Sequence, residues 1–207
     1  MWKDLSAQWQ IAFYEAWEAY KSGGVPIGAA IFDKDGALVI KDRNRSGEAE
    51  VIDKLISHAE ANCLRRLDLP DAEIRAATLY TTMEPCPMCM GTCVMSHIRH
   101  LRYGARDPYC GMVHIKDTDP YMMDRGLDYT FEGGETEFVQ IFLHSLYELD
   151  RMERGVYGDK VYKRFAGLCP SAARAAESVF PDRIFQRLAR EGKDFGEVYD
   201  CILSLAD

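Results

Sequence analysis

Apolar residues recur at helical spacing over residues 4–21, at Leu5, Trp9, Ala12, Phe13, Ala16, Trp17 and Tyr20, and stop at Ser22-Gly23-Gly24. That pattern predicts an opening helix. Short apolar runs at 26–32 and 37–40 flank Asp33-Lys34-Asp35-Gly36, a turn sequence, so the two are expected to pair as an antiparallel hairpin. Residues 57–67 put Ala, Leu and Cys on one helical face, and Ser57 with Glu60 fits a capping box. A strand at 77–82, a helix at 87–96 with Pro87 in its first turn and a strand at 99–103 make a strand–helix–strand unit, which implies parallel pairing. Residues 106–134, rich in Asp, Gly and Tyr, predict an irregular loop with a short helix near Tyr121. A strand at 137–142 and a helix at 145–154 then close the core. Beyond Gly155, helical segments are expected at 171–180, 183–190 and 195–205, divided by Pro181 and Gly192 and carrying charges of both signs.

Helices alternating with strands define an α/β chain, and the pattern divides it into a domain over 1–154 and a helical C-terminal extension over 155–207, read as a cap or dimerisation element. At 207 residues, 47% hydrophobic and 28% charged, the composition is that of a globular protein able to bury a core. The start, Met1-Trp2-Lys3-Asp4-Leu5, turns polar too soon for a signal peptide and no apolar run approaches a membrane span, so a cytoplasmic location is expected. The seven cysteines are an odd count, and Cys63, Cys93, Cys110, Cys169 and Cys201 are scattered singly, which argues against a disulfide framework. A formal charge of -8 disfavours a polyanionic partner such as tRNA, although a local basic patch can override it.

The chemistry concentrates in His58-Ala59-Glu60 and, downstream, Pro85-Cys86-Pro87-Met88-Cys89. One imidazole and two thiols are zinc-type ligands, and three protein ligands leave the fourth position open, as in a catalytic site. Cys86 and Cys89 at a helix start share one face beside amide groups that favour thiolates. A zinc ion held by His58, Cys86 and Cys89 lowers the pKa of a bound water to about 7. Glu60 is then left over as a proton shuttle. Other readings stay open on the cysteines alone: a C-x-x-C pair is often redox-active or a structural half-site, and Cys93 could close a four-ligand cluster. Glu84 is expected to orient the loop rather than to react. His97, His100, His114 and His144 read as surface or core histidines.

The pattern H-x-E followed by P-C-x-x-C resembles the cytidine deaminase-like superfamily of zinc deaminases. The likeness is to the nucleoside deaminase branch that includes tRNA-specific adenosine deaminases and free-base guanine and cytosine deaminases. It is carried by Val25-Pro26-Ile27-Gly28, Asn44, His58-Ala59-Glu60, Thr78-Leu79-Tyr80, Glu84 to Cys89 and Gly104-Ala105-Arg106-Asp107, and it spans roughly the first 115 residues. The resemblance implies a three-layer α/β/α sandwich with a mixed five-stranded sheet, one zinc per chain held by His58, Cys86 and Cys89, Glu60 as the catalytic acid–base, and a homodimer. It also implies substrate contacts at Asn44, Ala59, Asp107 and Tyr109. A turn role for Asn44 and a solvated one for Asp107 are the plain alternatives.

Three functions follow as expectations. The first is hydrolytic deamination of a small free nucleobase or nucleoside, favoured by the acidic chain, by a tail that is not basic, and by extra helices that could close over a small ligand. The second is deamination of adenosine in tRNA, which needs a basic groove and a flipped base. The third is a non-catalytic structural zinc-binding module.

Overall fold

In a computed structural model, which describes all residues except 52, 157 and 207, the expected hairpin forms from β1 (Gly28–Phe32) and β2 (Leu38–Arg43), paired antiparallel around the Asp33–Gly36 turn. Three further strands, β3 (Thr78–Met83), β4 (His100–Ala105) and β5 (Asp128–Phe131), complete a mixed sheet of order β2-β1-β3-β4-β5. β3 pairs antiparallel with β1 and parallel with β4, and β4 runs parallel to β5, as the strand–helix–strand pattern requires.

Helices cover both faces. On one side α1 (Ala7–Lys21) crosses the hairpin so closely that a side chain at Gly28 would collide with the α1 backbone. On the other side lie α2 (Ala59–Leu64) and α4 (Pro87–Met95), with the short α3 (Asp71–Ala76) between them in sequence. Their core contains Cys63, Leu79, Met90, Cys93, Ile98 and Leu101. After a 3-10 turn at Val113–Asp117 and the short α5 (Pro120–Met123), β5 leads into α6 (Glu135–Glu153), which packs beside α1. This is the three-layer α/β/α arrangement with a mixed five-stranded sheet that the sequence resemblance implies.

Two local readings are corrected. Residues 137–142 are not a strand: α6 runs unbroken from Glu135, and the fifth strand lies earlier, inside the segment read as a loop. Val139, Ile141, Phe142, Leu143 and Leu146 are all fully buried. A helix buried over so broad a face presents a near-continuous apolar run, whose period a short window cannot distinguish from a strand. Gly133 and Gly134, both at positive φ, make the break between β5 and α6. The capping box is also absent. His58, not Ser57, is the N-cap of α2, with no side-chain cap, so Glu60 sits at the second helical position.

The C-terminal region holds α7 (Lys160–Leu168), unforeseen in the pattern, followed by α8 (Pro170–Val179), α9 (Ile184–Arg190) and α10 (Phe195–Leu203), near the expected positions. They bury Phe165, Phe185, Phe195 and Tyr199 in one cluster with Trp9, Phe13 and Trp17 of α1. Trp17 Nε1 donates to the Lys193 carbonyl, 3.0 Å away. Full burial of each such aromatic contributes about 1.5–3 kcal/mol, which ties the extension to the sheet layer rather than leaving it as a loose tail. Among the described residues no helix is long and apolar enough to cross a membrane.

Candidate functional site

Where β2 and β3 end, beside the start of β1, and the flanking helices begin, the chain brings its chemistry together. β3 runs into Glu84-Pro85-Cys86, and Pro87, at the first turn of α4, fixes the backbone so that Cys86 becomes the N-cap and Cys89 follows on the same face. β2 runs into Asn44, and the segment back to His58 is pinned by Asn62, whose Nδ2 donates to the carbonyls of Arg43 and Ser57. Arg45 N–H also donates to the Ser57 carbonyl at 3.0 Å. His58 and Cys86 are therefore both helix N-caps, set side by side because α2 and α4 pack as neighbours.

His58 Nδ1 lies 3.5 Å from Cys86 Sγ and 3.5 Å from Cys89 Sγ, and the donor atoms all fall within 4.8 Å of one another. A tetrahedral zinc ion, with its usual bonds to sulfur and nitrogen, spaces such donors by about 3.5 Å. One imidazole and two sulfurs are also the donor set zinc prefers. The residues fit the ion. Cys93 is not in the group: it is fully buried in the apolar core under α4. The hydrogen bond with Cys89 and the neighbouring His58 hold the Cys86 thiol down to about 4. Cys89 is pushed up, first by the same hydrogen bond and then by burial. His58 is raised, chiefly by its bond to Cys86. Burial raises the carboxyl of Glu60, which is only 3% exposed and receives Cys89 Sγ at 3.4 Å.

This group opens into a cavity of about 350 Å³, within the range of small-molecule sites. His58, Glu60, Cys86, Asn44, Asp107 and Tyr109 all line it. Asn44 Oδ1 accepts from Ser46 N–H, so the turn role and the cavity position coexist. Ala59 is different: its methyl group is buried in the core beside α4. Asp107 accepts from the backbone N–H groups of Tyr109 and Cys110, and Tyr109, half exposed, stands at the rim near Lys160. Glu84 orients the loop as expected, taking the N–H of Asp107 on one oxygen and that of Val113 on the other, both at 3.1 Å. Gly111 leaves that carboxylate its room.

The far wall is supplied by residues to which sequence reasoning assigned no function: His144, Glu148 and Arg151 of α6 with Val161 and Phe165 of α7. Their i, i+4, i+7 spacing is the signal that would have found the first three, but reading a strand up to 142 and a separate helix from 145 concealed it. Of the other histidines, His97 pairs with Asp71, His100 with Asp128, and His114 is exposed.

The family described as "Cytidine and deoxycytidylate deaminase zinc-binding region" matches residues 3–105. A tRNA-specific adenosine deaminase of Agrobacterium fabrum is 36% identical over 106 residues, half of this chain and 67% of that protein. A cytosine deaminase of Candida albicans is 30% identical over 103 residues, 49% of this chain and 67% of that one. A tRNA(Ile)-lysidine synthase of Deinococcus radiodurans is 37% identical over 98 residues, 46% of this chain, but the match spans only 16% of its length. Among solved structures, one from a study of A-to-I editing by tRNA:A34 deaminases superimposes with a TM-score of 0.50 at 30% identity, covering 60% of this chain and 96% of that one.

Proposed function

Since the chain belongs to the cytidine and deoxycytidylate deaminase zinc-binding family, we propose that it is a hydrolytic deaminase of a small amino-bearing heterocycle, a free nucleobase or nucleoside. His58, Cys86 and Cys89 hold the zinc ion, which supplies the Lewis acidity that makes water a nucleophile near neutral pH. Glu60, buried beside Cys89 at the cavity floor, takes a proton from the attacking water, passes it to a ring nitrogen and delivers a proton to the departing amine. The carbon–nitrogen bond breaks, ammonia leaves and the water oxygen stays as a carbonyl. Asn44 offers an amide to the substrate edge and Asp107 and Tyr109 shape the entrance.

The observation that carries the small-substrate reading is the wall made by α6 and α7. It lies outside the family match at 3–105, and it turns the open floor into a cavity of about 350 Å³. Residues 155–207 act in this reading as a cap. Glu60, Glu84, Asp107 and Glu148 line the cavity against a single guanidinium, Arg151, so a phosphate group is poorly matched to it. Deamination of adenosine in tRNA is the second reading, favoured by the likeness to tRNA-specific adenosine deaminases.

An ammonia-release screen of the zinc-loaded protein over guanine, cytosine, adenine, their nucleosides and a tRNA anticodon stem-loop separates the two. Turnover of a base or nucleoside is expected. Ammonia from the stem-loop alone would overturn the small-substrate reading.

A further inference from the structure

The α6 wall holds polar atoms that the reaction described above does not use. Both ring nitrogens of His144 and the Oε2 atom of Glu148 are buried without a hydrogen-bond partner among the described residues, although both side chains line the cavity. Glu148 Oε1 accepts from Arg151 Nη1 at 2.8 Å, and His144 Nε2 stands 3.8 Å away, too far for a hydrogen bond. The His144 ring is held against Phe165 of α7, with ring centroids 4.1 Å apart. Burial pushes its pKa down to about 4, so the ring is neutral near pH 7, with one nitrogen a donor and the other an acceptor. Folded proteins pair nearly all buried polar atoms, and those left over mark sites where something else supplies the partner. A carboxylate oxygen accepts only, so its missing partner is an N–H or O–H.

A flat heterocycle with its amino-bearing carbon at Glu60 turns its opposite edge to the α6 wall, since the cavity is floored from the α2 and α4 layer and closed from the α6 and α7 layer. In cytosine and adenine the nitrogen across the ring system from that carbon is the one that carries ribose in a nucleoside. In the free base it carries, or by tautomerism can carry, a hydrogen. We infer that Glu148, braced by Arg151, together with His144 forms a specificity wall that selects the free base: Glu148 Oε2 accepts the ring N–H that a nucleoside replaces with its sugar, and His144 hydrogen-bonds the adjoining ring edge. This rests on the small-substrate deaminase reading and narrows it from bases and nucleosides to bases.

The test compares ammonia release from cytosine with 1-methylcytosine, adenine with 9-methyladenine, and each of these two bases with its nucleoside, using the full zinc-loaded chain. For the base it turns over, the wild type is expected to favour the unmethylated form by at least about tenfold in kcat/KM, the scale of a lost hydrogen bond to a charged group. Glu148→Gln keeps the shape of the side chain and should erase that preference through KM, with kcat within a few-fold, because the contact is made in ground state and transition state alike. His144→Phe keeps the stacking on Phe165 and should weaken use of the base without changing zinc content.

A wild-type ratio near one, or a preference for nucleosides, overturns the inference while the deaminase reading stands. So does a Glu148→Gln variant that slows methylated and unmethylated bases equally, as a merely structural side chain would. Ammonia from the stem-loop alone removes the underlying reading and the inference with it. Should Glu148→Gln fail to fold, the wild-type ratio decides by itself.

Discussion

On one side of the sheet, α2 and α4 deliver His58, Glu60 and Cys86 to the cavity, with Cys89 beneath them, from N-caps and first turns; on the other, α6 delivers His144 and Glu148 from the middle of a long helix and α7 adds Val161 and Phe165. The first wall draws its reactive atoms from stretches of a few residues, each locked by its own local geometry: a proline at the first turn of α4, two N-caps and the Asn62 clamp. The second wall exists only because α6 lies against α7 and the extension shares its core with α1. Chemistry placed by a short motif is insensitive to what surrounds it. Selectivity placed by packed helices changes whenever the packing does, so one floor can serve different substrates under different lids.

Four substitutions probe that division. Glu60→Ala should give the largest change, an ammonia-release rate lower by about 10²–10⁴-fold with zinc content and melting temperature kept, as for loss of a general acid–base. Retention of most of the turnover would remove Glu60 from the reaction. Phe165→Ala strikes the other wall: it empties a buried site that α7 shares with His144, and chemical denaturation should show a loss of about 3–5 kcal/mol. In protein that remains folded, KM should rise more than kcat falls; an equal drop in kcat would mean the two walls are not separable.

Cys93→Ser tests whether the metal group ends at three ligands. A hydroxyl placed in that apolar pocket should cost about 1–3 kcal/mol, yet zinc bound per chain should be unchanged. Zinc loss would restore a fourth protein ligand and a closed site.

The smallest effect is expected far from both walls. Arg102, with His100 and Thr130 beside it, holds the Asp128 carboxyl down to about 2. A folded-state pKa below the unfolded value of about 3.9 adds stability that is complete above pH 4 and fades as the pH falls toward 2. The pair is half exposed and screened, so Asp128→Asn should cost under about 1 kcal/mol at pH 7, and nothing once Asp128 is protonated in both states. Urea titrations at pH 7 and pH 3 would show whether that difference shrinks.

By itself the sequence determined the metal group, Glu60 as its spare carboxylate, the hairpin, the parallel strand–helix–strand unit and Glu84 as the loop's anchor. All of these are encoded by residue type at short spacing: a motif at helix starts, a turn between apolar runs, a carboxylate beside backbone amides. Tertiary structure alone decided that α6 is one helix, since its near-continuous apolar face erased the period that separates helix from strand. It also decided that Cys93 belongs to the core, that the Ala59 methyl group is buried there too, and that His144 and Glu148 line one cavity with Glu60. Those outcomes depend on which elements, distant in sequence, come to pack together, and no local pattern records which distant surface a side chain will meet.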